Sequence, residues 1–325
     1  MVLRRLDQYP AVACGTASLL ALTFLLWTSG ALSPAEVPAY ATSRRQIIGM
    51  SLMLIAMPSY FVVATIVVTR RSMSLLELLR SIAPDPRLAD DALASIRNVS
   101  SRRILIGSVI GLGMGAFNSP IYHALLESRT PSIDITISLL QFFLWWIIGV
   151  ILCHRLAVAR SFASLGEIVS FDIFQLDRLR PLARAGMNDV LLIAGAIALS
   201  PLQALDAEFR LGNYSFALLV AIPTSLTLLA IPLRPIHRRI VHDKKIRLAR
   251  IEDAIERTRN DPAQENLADL EALLSHRDRL HDQPTWPFST ALASRLVFYL
   301  VIPPIAWVGA AFVEQLVTQW FGSSN

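Results

Sequence analysis

The chain has 325 residues, of which 54% are hydrophobic and 17% charged, with a mean hydropathy of +0.49. Soluble domains carry about 25% charged residues because their surface faces water, so this composition excludes an ordinary cytosolic enzyme and a disordered tail protein. Cys14 and Cys153 are the only cysteines, which excludes a disulfide scaffold, and the net charge of +5 is a topology signal rather than a nucleic-acid footprint, as its placement shows below.

A helix crosses the hydrocarbon core with about 20 apolar residues. Stretches free of Asp, Glu, Lys and Arg occupy residues 11–35, 47–69, 104–126, 135–153, 190–205, 211–233 and 296–313. The expected fold class is therefore all-α, a polytopic transmembrane helix bundle of about seven spans.

In chain order, the first span follows Arg4 and Arg5, a pattern shared with secretory signals. Asp7 and Pro10 interrupt that pattern, and the uncharged stretch is long enough to span. The second contains Pro58. The basic segment after it includes Leu75-Leu76-Glu77-Leu78-Leu79-Arg80, which predicts a helix lying on the inner membrane surface. The third carries Gly107, Gly111 and Gly115 in two overlapping GxxxG steps, with Gly113 close to the same face, and predicts tight packing on a neighbouring helix. The fourth holds Gln141, followed by Trp145 and Trp146, and ends at His154. In the next basic segment Phe171, Ile173, Phe174 and Leu176 are expected to touch the membrane surface. The fifth span starts near Met187, which puts Asp189 at headgroup level and leaves no charge in the middle of any span. Pro223 interrupts the sixth span, and Pro303 and Pro304 the seventh; each frees backbone carbonyls.

Three outward-going spans end in Ser-Pro, at 33–34, 119–120 and 200–201, and each return leg reaches a basic pair at nearly constant distance: Arg70-Arg71, His154-Arg155 and His237-Arg238. The pattern suggests three two-helix hairpins in parallel orientation. With the amino terminus inside, 25 of the 30 Lys and Arg residues fall on the inner segments, in line with the positive-inside rule. The expected location is a membrane, with a cytoplasmic amino terminus. The basic surplus then faces lipid headgroups, and nucleic acid is not expected as a partner.

Residues 1–233 are read as a bundle of six spans with two cytoplasmic loops, 70–103 and 154–186. Residues 234–289 form a cytoplasmic helical hairpin before the last span, and 290–325 the last span and an outer tail. Within the hairpin Ile236, Ile240, Leu248, Ile251 and Ile255 make one apolar stripe. Asn260-Asp261-Pro262 breaks the helix, with Asp261 and Gln264 in capping-box spacing. Leu267, Leu270 and Leu274 make the second stripe. Ile251, Ile255, Leu267, Leu270 and Leu274 are the candidate docking residues for a cytoplasmic protein or for a second copy of the chain.

Phosphate loops, dinucleotide fingerprints, nucleophile elbows and zinc-binding pairs do not occur, so no catalytic residue, cofactor or metal is expected. His123, Glu127, Asp134, Asp206, Glu208 and Glu314 collect at the outer ends without a ligand spacing. The segments Ile231-Pro232-Leu233 to Ile236-His237-Arg238-Arg239-Ile240 and Trp286-Pro287-Phe288 resemble uncharacterised multi-span bacterial inner-membrane proteins. The likeness covers the carboxyl-terminal third and implies location alone. The functional expectation is a non-enzymatic scaffold, sensor or accessory subunit that docks partners on its cytoplasmic face; the alternative is a transporter or channel that uses proline-broken helices.

Overall fold

The computed structural model describes residues 10–37, 41, 43–81, 86–118, 130–204, 212–260 and 267–286, and positions 294, 298, 301 and 305. Among the described residues the protein is all helical, without a strand. The helices are α1 (Ala11–Thr28), α2 (Arg44–Arg80), α3 (Pro86–Arg97), α4 (Ser101–Asn118), α5 (Pro131–Ile168), α6 (Arg180–Leu199), α7 (Gly212–Asn260) and α8 (Leu267–Asp282), with 3-10 turns at Ile173–Leu179 and Ser200–Ala204. Five helical stretches are long and apolar enough to cross a membrane: Ala11–Thr28, Arg44–Arg80, Pro131–Ile168, Ile173–Gln203 and Leu218–Arg259. That pattern suggests a membrane protein. Of the two other expected spans, α4 covers the third as far as Asn118, and 296–313 lies outside the described residues but for single positions.

Helix lengths correct the expectation of surface-lying helices. α2, α5 and α7 have 37, 38 and 49 residues. At 1.5 Å per residue α7 is about 70 Å long, more than twice the ~30 Å hydrocarbon thickness. The Leu75–Arg80 stretch is therefore the last turns of α2, and the first basic helix after residue 233 is the continuation of α7. Pro58 and Pro223 likewise lie within continuous helices, so these spans are not broken there. Ser43 starts α2 by accepting the Gln46 amide at 3.1 Å, satisfying a backbone donor that the helix itself leaves unpaired.

The helices α2, α5, α7 and α6 touch in a ring, with α1 packed outside on α2 and α4 outside on α5. The consecutive pairs α1–α2, α4–α5 and α6–α7 are each in contact. Small residues set the outer contacts: Gly15 lies against Val63 and Ser59, and Gly107, Gly111 and Gly115 lie against the backbone and side chains of Gly149, Val150, Trp145, Trp146 and Phe142. Gly113 faces open space rather than that seam. Away from the seams, Val12, Leu20 and Phe24 of α1 and Leu105, Val109 and Phe117 of α4 are exposed. Such extended apolar faces suit contact with lipid.

We define the basic end of the ring as the one carrying Arg70, Arg71 and Arg160. There a second apolar core forms beyond the spans, from Leu76 and Leu79 of α2, Ala92 and Ile96 of α3, Val158, Phe162 and Leu165 of α5, and Ile236 and Ile240 of α7. After α8 the chain runs back along α7. Leu280 packs on Ile251, Lys244 donates to the carbonyls of His281 and Gln283 at 2.7 and 2.9 Å, and His237 stacks on Trp286 with ring centroids 4.0 Å apart.

Candidate functional site

At the end opposite the basic one, the ring encloses a cavity of about 350 Å³. Its walls follow from helical spacing. Met50, Met53, Met57 and Phe61 recur every three or four residues along one face of α2. Leu144, Trp145, Ile148 and Ile151 do so on α5, and Leu192, Ile193, Ala196 and Ile197 on α6; Val220, Ala221 and Thr224 of α7 complete the lining. The polar lining residues Gln46, Asn118, Gln141, Ser200 and Gln203 sit towards the helix ends remote from the basic end, and no described lining residue is charged. Gln141 Nε2 donates to the Asn118 carbonyl at 3.1 Å, while its Oε1 is buried without a protein partner.

The same three faces continue towards the basic end onto a buried ion pair. One turn beyond Ile151 stands Arg155, and one turn beyond Ile193 stands Asp189. On α2, Thr65 and Thr69 intervene between Phe61 and Ser72. Arg155 Nε donates to Asp189 Oδ1 at 2.6 Å and Nη2 donates to Ser72 Oγ at 3.0 Å; the Ser72 hydroxyl donates to the Val68 carbonyl at 2.9 Å. Arg155 and Asp189 are 1% and 2% exposed. Three helices are thus tied by one guanidinium, yet Nη1 of Arg155 and the hydroxyls of Thr65 and Thr69 are buried with no protein partner. Buried polar groups are as a rule hydrogen-bonded, so these donors call for a water or a ligand.

A buried pair of this kind is weak evidence for stability, because desolvating both charges offsets their attraction. It is stronger evidence for a site, since ionisable groups between apolar spans are costly and usually mark a pathway. Asp189, expected at headgroup level, is buried in protein, enclosed by α2, α5 and α6. His154, next to Arg155, is also buried with neither ring nitrogen partnered, and Arg103 of α4 is its electrostatic neighbour along with Arg155. Phe171 and Ile173 pack with Ile251 and Leu280 rather than standing free; Phe174 is exposed and its ring lies 5.8 Å from that of His276.

Of the candidate docking residues, Ile251 is covered by Ile173 and Leu280, Ile255 packs beside it, and Leu270 and Leu274 are half-buried on α8. The Leu267 side chain lies outside the described residues, as do Asp261 and Gln264. Among the acidic and histidine candidates at the outer ends, Asp134 is described and buried, and accepts from Thr130 Oγ1 at 3.2 Å; the others lie outside. No metal-sized group of ligands occurs among the described residues.

Thr65, Thr69, Ser72, Arg155 and Asp189 were not singled out by the sequence as a site. The available signal was the hydroxyl stripe at 65, 69 and 72, in register with Met57 and Phe61, together with opposite charges at the inner ends of two neighbouring spans. Compared with protein-family models, with curated proteins and with solved structures, the chain matches none.

Proposed function

We propose that the chain is a seven-span transport protein of a bacterial inner membrane, which takes a small amphipathic solute into the cavity inside the α2–α5–α7–α6 ring. The observation that carries this reading is the continuity of three cavity-lining helix faces with the buried Arg155–Asp189 pair. Ligand sites are typically about 300–1,000 Å³, mostly apolar with a few placed polar groups, and form between bundle helices. Intramembrane charges commonly sit on solute or ion paths. The positive-inside rule puts the amino terminus and the basic end in the cytoplasm, so the cavity faces outward. Residues 296–313 provide the seventh span, and α8 with the end of α7 makes the cytoplasmic hairpin. Transport is placed ahead of the scaffold expected from the sequence because the Ile251 stripe is engaged by Leu280 and Ile173 of the same chain, leaving less apolar surface for a partner.

Cysteine accessibility tests the reading in a Cys14→Ser/Cys153→Ser background. A membrane-impermeant maleimide should label Ala196→Cys from the outer side. It should label Thr69→Cys from the cytoplasmic side of inverted vesicles, as the path opens alternately. Labelling of neither position from either side would remove the cavity as a solute path.

A further inference from the structure

We propose that the solute is an amphipathic monocarboxylic acid, bound with its apolar body in the cavity and its carboxylate on Nη1 of Arg155, and taken up together with one proton that resides on Asp189. The inference rests on the cavity being the solute site and names the chemistry that fits it.

The argument is one of unmet donors. The guanidinium uses Nε on Asp189 and Nη2 on Ser72, which fixes its plane and leaves Nη1 unpartnered. Thr65 and Thr69 add two unpartnered hydroxyls on the face of α2 between the cavity and Ser72. Because α2 and α5 both run from the cavity end towards the basic end, their Cα–Cβ bonds lean back towards the cavity. On these two faces the cavity lining stops at Phe61 and Ile151, so Thr65 and Arg155 stand one turn beyond its inner limit, and the carboxylate is placed there. A carboxylate is the acceptor that a planar guanidinium edge matches best. The walls above, from Met53, Met57, Phe61, Trp145 and Ile193, are apolar and without charge, which selects a hydrocarbon or aromatic body and rejects a second charge.

Charge balance supplies the proton. The empty site is neutral, one guanidinium against one carboxylate, and adding an anion alone would leave a net negative charge out of water, which is strongly unfavourable. If R–CO₂⁻ and H⁺ enter together, the proton binds an Asp189 carboxylate oxygen and the ligand carboxylate accepts from Nη1. Arg155 then changes its counter-charge and the site is neutral before and after. The surroundings of Asp189 allow this: Arg155 of α5 is the charged group facing it, α2 contributes Ser72, and α7 meets α6 at Gly186 through Leu229.

The test uses the full chain in lipid nanodiscs with three probes of one shape, 2-naphthoate, 2-naphthalenemethanol and 2-naphthylmethylammonium, with empty nanodiscs as background. Naphthoate should bind about tenfold or more tightly than the other two, a difference one charge-assisted contact supplies. Because binding takes up a proton, its affinity should fall about tenfold for each unit of rising pH near neutrality. Asp189→Asn should remove the pH slope, Arg155→Gln should remove the preference for the acid, and Ala196→Trp should block all three probes. Retained binding of the alcohol by the first two variants shows that the cavity has folded. Equal binding of the three probes, or an acid preference that survives Arg155→Gln, overturns the inference while the cavity reading stands. An acid preference without a pH slope overturns the proton. Binding of none overturns the inference and leaves the cavity to the cysteine labelling.

Discussion

The two ends of the α2–α5–α7–α6 ring use the same four helices and end in opposite states. At the basic end Leu76, Leu79, Phe162, Leu165 and Ile236 close the space between the helices, as branched and aromatic side chains do when every one finds neighbours. At the other end three methionines, small Ala196 and Ala221 and the amides Gln46, Gln141 and Gln203 leave about 350 Å³ unfilled. Unbranched methionines adapt to more than one occupant, and Oε1 of Gln141 is buried without a protein partner. A closed end and an open end on one set of helices, with a charged pair at the junction, is the layout on which the transport proposal rests. The glycine seam between α4 and α5 shows the contrast again: there, close backbone approach leaves no room for anything else.

Substitutions can break that comparison at graded cost. The largest effect is expected for Asp189→Ala, which leaves Arg155 buried without its counter-charge and should cost about 3–5 kcal/mol, read as a fall in resistance to denaturation in detergent. The paired Arg155→Met/Asp189→Leu change should recover most of that loss, and if it recovers none the pair is not the cause. Next, Leu79→Ala at the closed end should cost about 2–5 kcal/mol, whereas Met57→Ala at the cavity wall should fall at or below about 2 kcal/mol because it only enlarges a space already open. Equal losses at the two positions would mean that the ends are packed alike.

A smaller effect is expected at the seam. A Cβ at Gly111 would overlap the backbone of Trp145 and Trp146, so Gly111→Val should cost about 1–3 kcal/mol and lower the yield of an engineered α4–α5 cross-link. Gly113→Val, with open space around it, should leave that yield unchanged. The smallest belongs to Lys244→Ala. Losing its hydrogen bonds to the His281 and Gln283 carbonyls should cost about 1 kcal/mol or less, seen as faster backbone exchange over residues 281–286 with the ring unaffected.

Much of the helical content was legible from residue order, since long uncharged runs and the GxxxG spacing are local signals. The overshoot of α2 and α7 was not: Leu75–Arg80 has the composition of a surface helix, and only the partners supplied by α3 and α5 show that it continues α2 into a core. The site was less legible still. Asp189 and Arg155 each stand at the inner end of an apolar run, where a solvated charge is the ordinary expectation, and nothing local distinguishes that from an ion pair across two helices.

Apolar run length, glycine spacing and the distribution of arginine were enough to determine a helical chain suited to lipid, because each acts through properties of a single segment. Which faces meet, where the ring closes and where it stays open, and that Arg155, Asp189 and Ser72 join three helices, were decided by tertiary structure. A buried charge is tolerated only with a partner, and that partner lies tens of residues away in the chain.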